Sequence, residues 1–423
     1  MKTTMQFHRV LATWQVIAAL SLAGGAAFAA PTFASYNTDS DILGVAHETD
    51  TECVNPWGLA IGEDGNLHVS DDATGKSSVY MPDGTILSGG TTAIDIPSVT
   101  GTATGSPTGV VENDAAFILR SDTSDFDVTS GTTTKPAHFL YGTQDGEIVG
   151  YRIGLDATSG VVEYTSTNGA GYTGVALSWV TGTDGNLHHV LYAADFANGS
   201  IDTFDAKFKP ITLGTSAFVT PVADVVPVPG TAPAGAVWSP FNIKSVDVLG
   251  PEPVTKRLGV LRRVLVAYAL SSGTSAPLND VEGAGYGYID AFDEAGKWLG
   301  RVATAGSNIS SPWGMAVTRH GVLAGFSAPV VLFVGNHYDG IIHAFAFDVV
   351  HGTGSEIGTL PKDHAGTPLG FDGLWGLHFG PVTVSQIDYE LNHAVLDEDF
   401  HTLFFTAGIL QESRGLVGQI LFP

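Results

Sequence analysis

A short apolar unit recurs six times along this chain, and that recurrence limits the possible folds more than any other feature. The copies read Asn55-Pro56-Trp57-Gly58-Leu59-Ala60, Ser106-Pro107-Thr108-Gly109-Val110-Val111, Gly171-Tyr172-Thr173-Gly174-Val175-Ala176, Ser239-Pro240-Phe241-Asn242-Ile243, Ser311-Pro312-Trp313-Gly314-Met315-Ala316 and Gly373-Leu374-Trp375-Gly376-Leu377-His378. A second marker keeps the same period: Gly75, Gly146, Gly199, Gly287, Gly340 and Gly415 each stand five residues before a large apolar residue and after a strand-like apolar run. Steps of 51 to 72 residues between copies, filled with strands and turns, describe blades of a β-propeller with inserted loops. A blade cannot bury both of its faces alone, so the six copies must pack into one domain.

The expected fold is therefore all-β, a six-bladed β-propeller over residues 30–423. The Pro-x-Gly unit opens each inner strand, and the second Gly turns the hairpin between the two middle strands. Gly in the inner strand lets backbones approach closely around the channel. Outer strands are expected at Thr85–Leu87, Val161–Tyr164, Ala217–Val219, Lys297–Ala303 and Glu356–Leu360. The sixth copy reaches the C-terminus without an outer strand, so the N-terminal run Ile42–Ala46 is expected to close the ring by pairing with Gly415–Phe422, which removes two open edges. Surface excursions are expected at Asp122–Lys135, Pro221–Pro233, Leu249–Arg263, Leu270–Glu282 and Gly352–Asp372, where Ser, Thr, Gly and Pro break strands.

The N-terminus carries Lys2, His8 and Arg9, then an apolar run from Val10 to Phe28 and an Ala27-Phe28-Ala29 site, the layout of a secretory leader over residues 1–29. Its removal leaves 16 basic against 43 acidic residues, a net charge of −27. Such a field repels nucleic acid and anionic lipid and attracts cations. The expected product is secreted or periplasmic, monomeric and without a membrane anchor. Cys53 is the only cysteine, so no intrachain disulfide is possible, and it reads as a small apolar filler.

In a propeller the turn entering each inner strand and the hairpin between the middle strands lie on one face. That channel mouth should collect Asn55, Trp57, Asp71, Asp72, Thr143, Gln144, Asp145, Asp195, Asn198, Asn242, Trp313, Asn336, His337, Asp339 and Trp375. Asp71, Asp195, Asn242, Asn336 and Asp339 are hard oxygen donors suited to calcium. Asn and Asp before Gly are also ordinary turn formers, so only their convergence makes a metal set. Asn55, Trp57, Asp72, Asp145, Trp313, His337 and Trp375 are the expected ligand contacts. The three tryptophans form a rim for flat ligands or fill gaps between blades. His337 and His378 fall near the mouth or the channel. With no H-E-x-x-H, G-x-S-x-G or phosphate-cradling motif present, no catalytic residue is assigned. Asp122 to Asp127 is acidic, but it lacks the central Gly and terminal Glu of a calcium loop.

Leu191 to Asp205 resembles the NHL repeat of six-bladed propellers. More widely, the mature chain resembles a family of exported bacterial NHL-like propeller proteins. The resemblance runs through Asn55–Ala60, Pro107–Val110, Tyr192–Asp205, Gly285–Asp293, Ala305–Val317, Val334–Phe345 and Phe404–Gly418. Some members end in an exosortase-type sorting tail; with Phe422-Pro423 at its end, this chain is expected not to be retained at the surface by that route. The resemblance implies the fold but no established reaction. From the loops gathered at the mouth, the chain is expected to bind a small molecule, glycan or protein partner there, with calcium as the candidate cofactor. Related six-bladed folds include calcium-dependent lactonases and phosphotriesterases with channel Glu, Asn and Asp ligands, which makes a calcium-dependent hydrolase the alternative. No inner-strand Glu is evident here.

Overall fold

The structure is a computed structural model. It describes residues 33–422 apart from 63, 88–92, 100–103, 114–124, 156–157, 252–257, 273–279, 319–321, 324–325, 361–369, 381, 389–392 and 399–400. The leader expected over residues 1–29 lies outside the described residues.

Six sheets follow one another along the chain as blades, antiparallel but for the short parallel pairing of Glu48–Thr49 with Asp39 and Ser40 at the edge of the last. Blade 1 is Pro56–Ile61, Leu67–Asp71, Lys76–Tyr80 and Ala93–Asp95, and blade 2 is Pro107–Glu112, Phe139–Thr143, Glu147–Tyr151 and Val161–Thr165. Blade 3 has three strands, Tyr172–Thr181, Leu187–Asp195 and Ser200–Asp205. Blade 4 is Val237–Pro251, Leu258–Ser271, Gly287–Asp293 and Trp298–Ala303, and blade 5 is Pro312–Thr318, Val331–Asn336, Ile342–Asp348 and Thr353–Thr359. Blade 6 takes Leu374–Phe379, Thr402–Ala407 and Leu416–Leu421 from the end of the chain, and Ala34–Ser40 from its beginning. The fold is thus the expected six-bladed propeller, closed by an N-terminal strand.

The inner and second strands are covered on both faces, so they are buried nearly end to end rather than alternately; Pro56–Ile61 and Val331–Asn336 are buried throughout, whereas an outer strand such as Thr353–Thr359 is largely exposed. One apolar cluster fills each seam. Phe139, Tyr141 and Val149 meet Ala60 and Val79 between blades 1 and 2, and Phe333 meets Leu377, Phe379 and Phe405 between blades 5 and 6. Cys53 lies wholly buried in the seam between blades 6 and 1 beside Leu59, Val69 and Val417, as an apolar filler would.

The inner-strand glycines mark where neighbouring backbones touch. A Cβ on Gly109 would stand 2.6 Å from Val175 N and 2.8 Å from Gly174 Cα. In blade 4 Asn242 takes this place, and its Nδ2 donates to Trp313 O at 2.7 Å.

Several boundaries differ from expectation. The closing strand is Ala34–Ser40, paired Ala34 to Leu421 and Ser40 to Leu416, whereas Ile42–Ala46 forms a turn in which Leu43 is 86% exposed. The ladder closes through backbone groups, which the polar sequence ASYNTDS supplies as well as an apolar run would. Blade 1 takes Ala93–Asp95 as its outer strand, and Thr85–Leu87 contributes a single bridge from Ile86 to Tyr80. Ala217–Val219 is no strand: Phe218 N donates to Gly296 O, and its ring packs on Tyr192 and Phe292. Leu249–Arg263 is not a surface loop at its ends, since Pro251 pairs with Leu258 and the strands of blade 4 run on as a long hairpin. Asp122–Lys135 overlaps a second hairpin, Asp127–Ser130 with Thr133–Pro136, anchored by the buried Phe126.

Candidate functional site at the channel mouth

In five blades the residue after the second strand stands at the mouth, Asp72, Gln144, Phe196, His337 and Gly408, and in blade 4 the equivalent residue, Ala269, lies within the longer strand Leu258–Ser271 opposite Ser239. In those five blades the N–H of that residue donates to the carbonyl just before the inner strand, from Asp72 to Asn55, Gln144 to Ser106, Phe196 to Gly171, His337 to Ser311 and Gly408 to Gly373, at 2.8–3.2 Å. The hairpin and the strand entry are thereby tied together at one face, as the topology requires.

The channel below is filled. Trp57, Phe241, Trp313 and Trp375 occupy one repeat position on the inner strands of four blades, and with Phe196 and Ala269 they form a buried aromatic cluster. Trp57 and Trp375 stack at 3.7 Å, while Trp313 meets both edge-on at 6.1 and 5.8 Å. Trp313 Nε1 reaches from blade 5 to Thr173 O of blade 3 at 3.0 Å, and Trp375 Nε1 donates to Asn55 Oδ1 at 3.1 Å. With exposures of 1–4%, the tryptophans plug the channel and form its floor. The two remaining repeat positions carry Thr108 and Thr173, whose small size leaves room for indoles from across the axis.

On this floor lies His337, 5% exposed, its ring stacked on Trp375 at 3.9 Å. Its Nε2 is 3.1 Å from Glu412 Oε1, and its Nδ1 is 3.8 Å from Asp280 Oδ1 and 4.0 Å from Glu282 Oε1. Burial disfavours the imidazolium, but Glu412, Asp280 and Glu282 together prevail and raise the His337 pKa above its ordinary value. Asp72 lies on the same rim, accepting from Gln144 Nε2 at 2.9 Å and Asn55 Nδ2 at 3.3 Å. Burial, with Glu412 and Asp145 adding to it, pushes Asp72 up to about 7 against those two bonds. Burial likewise raises Asp280, which His337 opposes, and Glu282, which Asp280 and Glu412 raise further.

Two longer hairpins deliver these acids. In blades 1, 2, 3 and 5 the second-marker glycine adopts a left-handed conformation inside a tight hairpin, with φ of 68°, 78°, 69° and 68° at Gly75, Gly146, Gly199 and Gly340. Gly287 and Gly415 lack it, because blades 4 and 6 carry insertions there. In blade 4 the returning chain bridges Asp280 to Ser271, and Val281 N donates to Leu270 O. In blade 6 Leu410, Gln411 and Glu412 are all left-handed, with φ of 53°, 56° and 61°. Glu412 N donates back to Gly408 O at 3.1 Å, which closes the turn above the Asn55–Trp375 contact. Non-glycine residues rarely adopt this conformation in succession. The six-copy pattern did not reveal Asp280, Glu282 and Glu412, although the unequal spacing around Gly287 and Gly415 marks their loops.

The other expected contacts have places of their own. Asp145 accepts from Ser106 N at 2.9 Å. Asp71 accepts from Ser78 N, and burial pushes its carboxyl well above the usual range. Asp195 accepts from Gly171 N, Asn198 N and Asn198 Nδ2. Asn336 accepts from Ser310 N and lies near His343 Nε2, and Asp339 accepts from Ile341 N within its turn. Asn55, Trp57, Asp72, Trp313, His337 and Trp375 thus share one contact network at the mouth, while Asp71, Asp195, Asn336 and Asp339 are bonded within their own blades. Among the described residues no group of three or more His, Cys, Asp or Glu is arranged to hold a metal ion. His378 lies at the opposite end of the channel, lining a cleft with Lys244, Ser245 and Val317.

These features define a six-bladed β-propeller with an aromatic plug and an acid-rimmed mouth. No protein-family model matches the chain. It is 29% identical over 380 residues to an uncharacterised protein of Acanthamoeba polyphaga mimivirus, covering 89% of this chain and 76% of the relative. Among solved structures it is similar to a protein of unknown function from Bacteroides thetaiotaomicron (TM-score 0.45, 11% identity, 93% of this chain and 76% of that one). It is also similar to a streptogramin B lyase (0.40, 11%, 92% and 97%) and to the PQQ-bound aldose sugar dehydrogenase of Streptomyces coelicolor (0.40, 11%, 93% and 100%). At these scores nothing about chemistry transfers. No helix among the described residues is long and apolar enough to cross a membrane.

Proposed function

We propose that this is an exported NHL-like propeller that binds a ligand or protein partner at its acid-rimmed mouth. The observation that carries the reading is the buried His337, ringed by Glu412, Asp280 and Glu282 above a floor already filled by tryptophan. Burying charges without function is costly, and perturbed groups gathered in one place are the usual mark of a site. Calcium is an ion that such oxygen donors suit, but it needs six to eight oxygens at once. Here Asp72 already accepts from two amides, and an imidazole ring stands among the other carboxylates.

The test is a thermal-shift screen of the mature protein against glycans, amines, carboxylates and calcium, repeated on Glu412→Gln. A compound that raises the melting temperature of the parent and fails on the variant supports the mouth as the site. A binder indifferent to Glu412→Gln, Glu282→Gln and Asp72→Asn would refute it. Export is tested separately by sequencing the N-terminus of protein recovered outside the cytoplasm; an intact leader there would refute cleavage after Ala29 or Ala30.

A further inference from the structure

The mouth gathers four carboxylates, Asp72, Asp280, Glu282 and Glu412, about one imidazole, His337. Asp280 has a side chain only 6% exposed, and its Oδ2 meets no donor at hydrogen-bond geometry. Ser311 Oγ, also buried, is near enough to Asp280 to favour its charge, yet it too makes no bond of proper geometry. The Ser311 carbonyl is the one that His337 N holds at 2.9 Å. Around them stand Glu412, Glu282 and Asp72, with the His337 ring nitrogens 3.1–4.0 Å from Glu412, Asp280 and Glu282 and themselves without a partner at hydrogen-bond geometry. An unmatched buried carboxylate oxygen is costly, and a donor that also carries positive charge offsets that cost best.

The aromatic surfaces argue against other cations and against sugars. Trp375 stacks on Trp57 at 3.7 Å and on His337 at 3.9 Å, which occupies both of its faces. Trp57 and Trp313 are 3% and 4% exposed. Quaternary ammonium groups and sugar rings need an open aromatic face, and none is offered here. What the rim offers is oxygen: Glu412 and Glu282 keep 37% and 56% of their side chains exposed, and both, like Asp280, lie within 4.0 Å of the His337 ring nitrogens.

Building on the reading of the mouth as a binding site, we infer that its ligand presents an N–H-bearing cation, a primary ammonium or a guanidinium, which seats among Glu412, Glu282 and Asp280 beside His337. The plug makes the seat shallow, so the ligand enters by its charged end only. An incoming cation competes with the imidazolium for the same carboxylates and favours the ionised form of Asp72. Binding therefore releases protons from His337, which faces Asp280, Glu282 and Glu412, and from Asp72, which faces Glu412 and Asp145. Affinity then rises as pH rises through the neutral range.

The experiment is calorimetry on the mature protein with 1,4-diaminobutane and agmatine, against tetramethylammonium, citrate and calcium chloride. It is run at pH 6 and pH 8 in two buffers of different ionisation enthalpy. The expected result is binding of the two N–H cations, tighter at pH 8, with net proton release, and weakened about tenfold in Glu412→Gln, the effect of roughly one strong charge contact. Glu282→Gln, on the exposed rim, serves as a second variant, and both are compared with the parent by circular dichroism. Binding of tetramethylammonium, citrate or calcium in place of the amines, still lost in Glu412→Gln, overturns the ligand class and leaves the mouth as the site. Amine binding unchanged in both variants overturns the location. No heat with any probe overturns the inference, while the wider reading then stands or falls on the thermal-shift screen.

Discussion

Replacing Asp39 by asparagine should change how stability depends on pH. Asp39 sits on the closing strand opposite Val417, is 0% exposed, and has no donor at hydrogen-bond geometry on either carboxylate oxygen. Burial raises its pKa from 3.8 to about 8; Thr38 opposes this, and Asp50, Glu48 and Asp83 add to it. In the unfolded chain the carboxyl ionises near 3.8, whereas in the folded protein it keeps its proton to about 8. Between those values the folded state binds one more proton, so stability falls by about 1.4 kcal/mol for each unit of rising pH. From pH 5 to pH 7 that amounts to a loss of about 3 kcal/mol. An asparagine side chain in this place would carry no charge to bury and would remove this slope. The assay is urea unfolding of both proteins at pH 5, 6, 7 and 8. The two should be closest at pH 5, with Asp39→Asn ahead by an increasing margin as pH rises. Parallel stability curves would refute the argument, because they would mean that Asp39 is ionised in the folded state or free to reach water.

Three further outcomes follow from the packing. His68 is buried and stacked on Phe139 at 3.7 Å, its ring nitrogens unpartnered, and burial lowers its pKa to about 3. Stability should therefore fall by about 1.4 kcal/mol per unit as pH drops below 6.5, and His68→Leu should flatten that acid limb in the same unfolding series. Gly109→Ala would put a Cβ 2.6 Å from Val175 N, with backbone that cannot step aside, and should cost about 1–3 kcal/mol or more; an unchanged melting temperature would contradict the close approach of the inner strands. Gln411, left-handed at φ 56° and exposed, should be better served by glycine, so Gln411→Gly is expected to stabilise the fold by about 1 kcal/mol in denaturant titration, and destabilisation would count against the left-handed turn.

Much of the ring was legible because a blade is a local object. Each inner strand, each middle hairpin and the close-contact glycines repeat within one copy, and six copies correct one another. The closing strand was less legible. Ala34–Ser40 is polar, and it was chosen over the more apolar Ile42–Ala46 by the ladder it completes with Leu416–Leu421. Asp71 and Asp195 end the second strands of their blades, as the repeats imply, yet each accepts from backbone N–H groups of its own blade. The last residue of a strand and the first of its hairpin differ by one position, and the alternation of a strand sends them different ways. Asp72 and His337 stand one place further on, and they are the ones that look over the mouth.

The number of blades, the face that carries the loops and the sign of the charge could all be read along the chain, since each is a sum over local pattern and composition. No local pattern shows that Trp57, Trp313 and Trp375 close the channel together, or that Glu412, Asp280 and Glu282 surround His337. Those residues belong to blades 1, 4, 5 and 6 and are as much as 355 positions apart in the chain, from Trp57 to Glu412. Their meeting depends on closure of the ring, which brings distant residues to one axis regardless of their separation along the chain.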